Sequence, residues 1–189
     1  MTADYLRSKF EAALDYNAYV ATGTDEQRRR WGDVAAKLSL TGEQKTLLGG
    51  FTRRMPVLVI SGIWCGDCVA QGPMIDLIGK ANPNVLDVRF VDRDVHKDLA
   101  DQVKLNAGHR VPTALFLAED FELCSLLGDR TLSRYRAIAA RQLGASCPVG
   151  IVPPGDDELA ATVQDWVNEF ERVQLMLRVS PRLRQIHQD

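Results

Sequence analysis

The sequence has few cysteines, no long apolar run and almost no net charge. Four cysteines in 189 residues are too sparse for a disulfide-stabilised scaffold. Apolar residues never run together for about 18 positions, so no membrane-spanning helix is expected. A formal net charge of −2 gives no general attraction to nucleic acid or to anionic membranes. We therefore expect neither nucleic acid nor a membrane among the partners of this chain.

The first residues also lack the features of a secretory signal. The segment MTADYLRSKFEAALDY has neither a basic start nor a continuous apolar stretch. A cytoplasmic location is therefore expected. In that reducing environment, a close cysteine pair is catalytic or metal-binding more often than structural.

What the sequence does contain is an ordinary globular composition, with 46% hydrophobic and 25% charged residues. At 189 residues the chain can bury a sizeable core, and a single globular domain is expected. Its patterning changes twice along the chain. We expect residues 1–50 to form a helical N-terminal extension packed on the core, and residues 51–143 to form a core of mixed strands and helices. Residues 144–189 are expected to be a Gly- and Pro-rich linker followed by an amphipathic helix.

Apolar periodicity predicts where the helices and strands lie. Helical spacing occurs over residues 4–20, 25–38, 41–50, 65–80, 96–106, 130–143 and 156–178. Short apolar runs predict strands at residues 55–61 and 85–94 and a hairpin formed by residues 112–118 and 121–127. This order of elements predicts the α/β class, with a small mixed sheet covered by helices on both faces.

The most informative local pattern is the pair Cys65 and Cys68, placed where a strand-like run ends and a helical pattern begins. A helix N-terminus stabilises a thiolate through its unpaired N–H groups and partial positive charge. Because the thiolate is the reactive form of cysteine, Cys65 is the expected nucleophile. Cys68 lies one helical turn further along and is able to resolve a mixed disulfide on Cys65.

A metal site and a structural disulfide are the alternatives for this pair. A tetrahedral metal site needs four ligands, usually from two close pairs. The remaining cysteines and the histidines show no such spacing: Cys124, Cys147, His96, His109 and His187. A structural disulfide would close so short a loop that it would remove little chain entropy. A working dithiol without metal is therefore the favoured interpretation.

The cysteine pair lies in WCGDC, which resembles the WCGPC active site of the thioredoxin family. Pro73 stands where thioredoxins carry the proline that kinks the active-site helix, and PMIDLI resembles their PILDEI. FVDRDVHKDLA resembles the third strand of the family and the loop that follows it, and VPTALF resembles its cis-proline loop. Gly128 stands where thioredoxins keep a glycine near the active site. The resemblance covers about residues 52–143, around half of the chain.

This resemblance implies a thioredoxin-like fold, with a central mixed sheet of about four strands, flanking helices and extra helices at both ends. It implies a thiol–disulfide oxidoreductase in which Cys65 attacks a substrate disulfide and Cys68 resolves the intermediate. The implied redox group is the Cys65–Cys68 disulfide itself, with no metal and no bound organic cofactor. The implied partners are disulfide-containing proteins and an external reductase or small thiol that donates electrons.

The resemblance also assigns the surroundings of the two cysteines. Trp64 would shield and shape the active-site surface. Val111 and Pro112, joined by a cis peptide bond, would offer backbone to an extended substrate segment by strand addition. An ordinary trans proline opening an edge strand is the alternative. The other positions assigned to the site are Gly66, Asp67 and Pro73 around the cysteines, and Gly128 on the substrate side.

Two positions depart from the family pattern. Most thioredoxins bury an aspartate six residues before the first cysteine, where it assists the proton transfer that resolves the intermediate, but Val59 stands there. Asp67 replaces the usual proline, and its charge disfavours a neighbouring thiolate. Asp67 is either a local proton acceptor for Cys68 or a solvated acid that stabilises the helix N-terminus by about 0.3–1 kcal/mol.

Both ends of the chain also depart from the family, which begins with a strand and a helix and ends earlier. The helical extensions are a cap over the sheet, a partner-binding surface or additional core, and Trp166 and Phe170 at helical spacing favour core. Cys124 in the last strand is expected to be a small buried hydrophobe. Cys147 in the linker is expected to be an exposed, idle thiol.

The extensions also leave a second class of function open. In that alternative the chain is a thioredoxin-fold binding or adaptor protein, whose extensions hold a partner and whose dithiol is a redox sensor. A dedicated isomerase or oxidase is a third interpretation. The sequence leaves the substrate, the electron donor, the redox potential and the oligomeric state open.

Overall fold

Four strands form one mixed sheet in the computed structural model, which describes residues 1–143 and 157–189. The strands are β1 (Met55–Ser61), β2 (Leu86–Asp92), β3 (Thr113–Leu117) and β4 (Leu123–Gly128), in the spatial order β2-β1-β3-β4. β1 is parallel to β2 and antiparallel to β3, and β3 and β4 form an antiparallel hairpin. Every residue of β1 is buried, which explains why this central strand reads as an unbroken apolar run. The predicted mixed sheet and hairpin are confirmed.

Helices flank this sheet, and both ends of the described chain are mainly helical. The helices are α1 (Ala3–Glu11), α2 (Tyr16–Ala21), α3 (Asp25–Ala35), α4 (Gly42–Gly49), α5 (Gly66–Ala81), α6 (Lys97–Ala100), α7 (Leu132–Leu143), α8 (Glu158–Val179) and α9 (Pro181–His187). None of the helices in these described ranges combines the length and the apolarity needed to cross a lipid bilayer. The α/β fold class predicted from the sequence is confirmed.

The single helix predicted over residues 4–20 is wrong, because the chain leaves the helical conformation between α1 and α2. Leu14 pairs with Phe90 at the outer edge of β2, through N···O distances of 3.0 and 2.7 Å. The Asp15 side chain then accepts a hydrogen bond from the Ala18 N–H and starts α2. The N-terminal extension is therefore not wholly helical, and one of its residues extends the hydrogen bonding of the sheet.

The helix predicted over residues 96–106 is also too long. α6 ends at Ala100, and Asn106 and Ala107 have φ values of 46° and 58°. This left-handed backbone is incompatible with a continuing right-handed helix. α9, at the other end of the chain, had no counterpart in the predictions.

The N-terminal extension packs closely on α5 through Trp31, which is fully buried. The Trp31 ring fills the space beside Gly72, where a Cβ atom would collide with it. Its indole Nε1 donates a hydrogen bond of 3.0 Å to the Ile63 carbonyl in the loop that precedes α5. The extension thus supports both α5 and the loop leading into it.

The C-terminal helix α8 also contributes to the core. Trp166 and Phe170 are fully buried, as their helical spacing predicted. The Phe170 ring meets Phe116 of β3 edge-on, with 5.1 Å between the ring centroids. These residues belong to the same hydrophobic cluster as the sheet and α1.

Candidate functional site

The two cysteines lie at the junction between β1 and α5. Cys65 is the N-cap residue of α5, in an extended conformation with φ −78° and ψ 127°. It is half-buried, whereas Cys68 in the first turn of the helix is fully buried. The sulfur of Cys65 therefore lies at the positive end of a 16-residue helix, where an anion is stabilised.

Backbone groups contact both sulfurs. The Cys65 Sγ lies 3.6 Å from the carbonyl oxygen of Val111, and the N–H of Gly62 points at the Cys68 Sγ from 3.4 Å. The Val111–Pro112 peptide bond is cis, and β3 begins directly after it. The loop singled out in the sequence is therefore in contact with the cysteine predicted to be the nucleophile.

The surroundings of the two thiols push their pKa values in opposite directions. A hydrogen bond from Cys68, together with the backbone N–H groups of Cys68 and Asp67, lowers the pKa of Cys65 to about 6, although burial and the Asp67 charge oppose this. Burial, followed by the neighbouring Cys65, raises the pKa of Cys68 well above its ordinary value. At neutral pH this arrangement favours a Cys65 thiolate beside a Cys68 thiol.

Asp67 is held by two arginines that the sequence analysis did not identify. Arg130 Nε and Nη2 donate to Asp67 Oδ2 at 3.0 and 2.6 Å, and Arg134 Nε and Nη2 donate to Oδ1 at 2.8 and 2.7 Å. Burial of the carboxyl favours its neutral form, but the hydrogen bonds and charges of the arginines outweigh burial and lower the pKa of Asp67. We call Asp67, Arg130 and Arg134 the Asp67 clamp.

The Asp67 clamp corrects the expectation of a solvated acid, because the Asp67 side chain is only 16% exposed. A carboxylate with a lowered pKa and two guanidinium partners is also a poor proton acceptor for Cys68. The clamp continues through Arg134 to Glu158 at the start of α8, with an Nη1–Oε1 distance of 3.2 Å. It therefore joins the first turn of α5 to α7 and α8.

The remaining predicted site residues lie around the two cysteines. Trp64 is 45% exposed, and the Arg93 guanidinium lies 4.7 Å from its ring centroid. Gly66 begins α5, and Pro73 lies buried inside that helix. At Gly128 a Cβ atom would lie 2.5 Å from the Pro112 carbonyl oxygen, so this close approach of β4 to the cis-proline loop requires glycine.

A buried glutamine that the sequence analysis missed connects α5 to its neighbours. Gln71 donates from Nε2 to the Asp129 carbonyl at 2.9 Å and accepts at Oε1 from the Trp166 indole at 3.2 Å. No local signal identifies this residue, because both of its partners are distant in sequence.

The other cysteines lie elsewhere or outside the described residues. Cys124 on β4 is half-buried rather than buried, and its sulfur contacts the Glu122 carbonyl oxygen at 3.5 Å. The prediction for Cys147 concerns a residue outside the described ranges. Within residues 1–143 and 157–189, no group of three or more His, Cys, Asp or Glu side chains is arranged to hold a metal ion.

Comparisons with known proteins agree with this fold. Over most of its length the chain is similar to a crystal structure of a Pseudomonas aeruginosa protein of unknown function, with a TM-score of 0.65, 19% identity and coverage of 87% of this chain and 93% of that one. It is also similar to an HIV epitope scaffold, with a TM-score of 0.61, 20% identity and coverage of 89% and 92%. A search of curated proteins finds no match.

A family model described as thioredoxin matches residues 13–138. This range contains all four strands, both cysteines of WCGDC and the cis-proline loop. It also contains α2, α3 and α4, and so extends further toward the N-terminus than the resemblance seen in the sequence. The chain belongs to the thioredoxin family.

Proposed function

We propose that this protein is a thiol–disulfide oxidoreductase that reduces protein disulfides, with Cys65 as the nucleophile and Cys68 as the resolving residue. The observation that carries the proposal is the opposite tuning of the two thiols. Cys65 lies at the helix N-terminus with its pKa lowered to about 6, and the buried Cys68 has a raised pKa. A nucleophile that is ionised at neutral pH next to a protonated resolving thiol suits a two-step reduction.

In the first step, the Cys65 thiolate attacks one sulfur of the substrate disulfide. The bond between the substrate sulfurs breaks, and the other substrate sulfur leaves as a thiolate that takes up a proton. In the second step, Cys68 attacks Cys65, the mixed disulfide breaks and the second substrate sulfur is released. The substrate gains two electrons, and the protein is left with a Cys65–Cys68 disulfide.

The cis-proline loop is the proposed substrate-binding surface. The Val111 carbonyl lies 3.6 Å from the attacking sulfur, so backbone pairing there would bring an extended segment close to Cys65. The exposed part of Trp64 and the close approach of Gly128 to Pro112 would shape the two sides of this surface.

The proposed cycle uses no metal and no bound organic cofactor. Electrons would come from an external reductase or a small thiol, which regenerates the dithiol after each turnover. A cytoplasmic location is part of the proposal, because a reducing compartment keeps such a pair in its working form.

Reduction of insulin in the presence of dithiothreitol tests the proposal. We expect the protein to accelerate insulin precipitation and the variant Cys65→Ser to abolish the acceleration. Cys124→Ser is the matched control, because Cys124 is a half-buried strand thiol, and it should leave the rate unchanged. Acceleration that persists in Cys65→Ser would overturn the assignment.

The adaptor alternative predicts a different outcome in a trapping experiment. A Cys68→Ser enzyme should accumulate mixed disulfides with several proteins, whereas an adaptor should bind one partner regardless of the state of its thiols. The largest apolar side chains of the two extensions, Trp31 and Trp166, are fully buried in the core. These two side chains therefore belong to the core and not to a partner-binding surface.

A further inference from the structure

Two buried hydroxyl groups near the cysteine pair have no hydrogen-bond partner among residues 1–143 and 157–189. They belong to Ser61, the last residue of β1, and to Tyr19 of α2. Ser61 is 0% exposed and Tyr19 is 1% exposed. Buried polar atoms in folded proteins nearly always have a hydrogen-bond partner. Two neighbouring hydroxyls without one therefore require an explanation.

Both hydroxyls lie close to Cys68. The Ser61 hydroxyl faces the Cys68 sulfur and the Tyr19 hydroxyl, without forming a hydrogen bond of ordinary geometry to either one. The next residue, Gly62, directs its N–H at the same sulfur from 3.4 Å. Two potential donors from adjacent residues of one chain segment therefore converge on Cys68.

The aromatic packing fixes Tyr19 behind Ser61. Its ring stacks on Phe90 with 5.4 Å between centroids and meets Trp31 edge-on at 5.7 Å. Burial raises the pKa of Tyr19, so its hydroxyl keeps its proton and is available as a donor.

The resolving step creates a need for such donors. Cys68 has to develop negative charge while it is fully buried, and Val59, where most of the family has a carboxyl group, is apolar and buried. Asp67 is committed to Arg130 and Arg134. Hydrogen bonds to the Cys68 sulfur would lower the free energy of placing negative charge on it.

We propose that the Ser61 hydroxyl is a catalytic residue of the resolving step, donating a hydrogen bond to the Cys68 sulfur as that sulfur becomes anionic. Gly62 N–H is the second donor. Tyr19 is a positioning residue: as the charge develops on Cys68, the Tyr19 hydroxyl donates to Ser61 Oγ and orients the Ser61 proton toward the sulfur. This proposal rests on the proposed function, in which Cys68 resolves a mixed disulfide on Cys65.

The step is balanced without a further base. Cys68 forms a bond to the Cys65 sulfur, the bond between Cys65 and the substrate sulfur breaks, and the proton of Cys68 passes to the departing substrate thiolate. Ser61 and Tyr19 keep their protons throughout. They stabilise only the negative charge that the Cys68 sulfur carries during the transfer.

Ellman's reagent separates the two steps in stopped-flow measurements on the reduced full-length protein in a Cys124→Ser, Cys147→Ser background, in which Cys65 and Cys68 are the two remaining thiols. Attack by Cys65 releases one thionitrobenzoate, and resolution by Cys68 releases the second, so two phases of absorbance are expected. We expect Ser61→Ala to slow the second phase about tenfold or more, as for loss of a hydrogen bond to a charged group, and to leave the first phase unchanged. Tyr19→Phe, which keeps the ring, should slow the second phase by about threefold or more, since a neutral hydrogen bond is weaker.

The pH profile of the second phase distinguishes a chemical role from a structural one. Besides burial, the groups that change the pKa of Cys68 are Cys65, which raises it, and Ser61 and the Gly62 N–H, which lower it. The charge of Asp92 on β2 raises the pKa of Tyr19. With a donor removed, Cys68 should ionise at higher pH, so the midpoint of the second phase should shift upward in Ser61→Ala and, to a smaller extent, in Tyr19→Phe. A purely structural role would leave that midpoint in place.

Thr131→Val is the matched control, because Thr131 is another buried residue whose hydroxyl has no partner within the part of the chain that the structure describes. It should leave both phases unchanged. Removal of an unpaired buried hydroxyl should not lower the free energy of unfolding in any of the three variants, which urea denaturation would verify.

Two results would overturn the proposal: a second phase in Ser61→Ala as fast as that of the wild type, or equal slowing in Thr131→Val. A Tyr19→Phe variant with an unchanged second phase and midpoint would remove the positioning role. Absence of the first phase in the wild type would instead count against the proposed function itself.

Discussion

At the scale of single residues, Cys65 and Cys68 differ because the start of a helix places one sulfur at its positive end and buries the other. From the position of the pair, the sequence predicted Cys65 as the nucleophile and Cys68 as the resolving residue, but not the burial of Cys68. The sequence did not predict the two residues that hold Asp67. Arg130 and Arg134 are separated from Asp67 by 63 and 67 positions, and nothing local indicates that α7 lies against the first turn of α5.

The lowered pKa of Cys65 predicts a specific pH dependence of its alkylation. Only the thiolate reacts, so the rate with iodoacetamide should rise as the pH increases through about 6 and level off above it. The measurement should use a Cys124→Ser, Cys147→Ser background, in which neither the strand thiol nor the linker thiol contributes. A midpoint near the value of about 8.5 for free cysteine would contradict the tuning described for the site.

The Asp67 clamp predicts two effects of Asp67→Asn. Because the Asp67 charge opposes the Cys65 thiolate, its removal should move the midpoint of Cys65 alkylation to lower pH. Loss of the charge-assisted hydrogen bonds to Arg130 and Arg134 should lower the free energy of unfolding by about 1–3 kcal/mol, measured by urea denaturation.

Asp33→Asn is the control for this variant. Asp33 pairs with Arg29 at 3.1 Å in an exposed i,i+4 arrangement, and such pairs contribute about 0.3–0.5 kcal/mol. An Asp67→Asn protein with the stability and the alkylation midpoint of the wild type would show that Asp67 contributes to neither property.

At the scale of elements, apolar periodicity predicted most helices and strands but not where the chain changes direction. The apolar spacing of Leu6, Phe10 and Leu14 continues past the end of α1, although Leu14 is extended and bonded to β2. The Leu14 side chain is 39% exposed, so its place in the apolar spacing indicates neither a helix nor burial. The cap at Asp15 was the only local sign of the break.

The end of β4 predicts the effect of Gly128→Ala. The added methyl group would meet the Pro112 carbonyl oxygen at 2.5 Å and Thr113 Oγ1 at 2.9 Å, so backbone has to move at the start of β3. We expect most insulin-reducing activity to be lost, because the cis-proline loop shifts relative to Cys65, while the first phase with the small Ellman's reagent is largely retained.

Gly49→Ala provides the comparison, since Gly49 in α4 has open space where the methyl group would lie. That variant should be as active as the wild type and at least as stable, given the higher helix propensity of alanine. Equal insulin reduction by the Gly128→Ala protein would argue against any role of the Pro112 loop in substrate binding.

At the scale of the whole molecule, the helices outside the segment that resembles thioredoxins in sequence are part of the core. Helical spacing correctly predicted burial of Trp166 and Phe170. It did not predict their partners, because the packing of α8 on β3 and α5 depends on the complete chain. The sequence therefore identified the apolar face of the C-terminal helix but not the elements on which that face packs.

Burial of Trp166 predicts strong dependence of stability on α8. Trp166→Ala should lower the free energy of unfolding by about 3–5 kcal/mol in urea denaturation, because it opens a cavity and leaves Gln71 Oε1 without its donor. Leu175→Ala on the same helix is the control, since Leu175 is 56% exposed, and it should cost far less. Similar losses in the two variants would contradict a core position for α8.

The arrangement of the three tryptophans has an optical consequence. Trp64 precedes the nucleophile, the Trp31 ring lies against Gly72 of α5, and the Trp166 indole is bonded to Gln71 of the same helix. Every indole in the chain therefore lies beside α5 or directly before it, and we expect a Cys65–Cys68 disulfide at the start of this helix to change their emission. Intrinsic fluorescence should report oxidation of the pair directly, so that the reduction potential is measurable in redox buffers without any label.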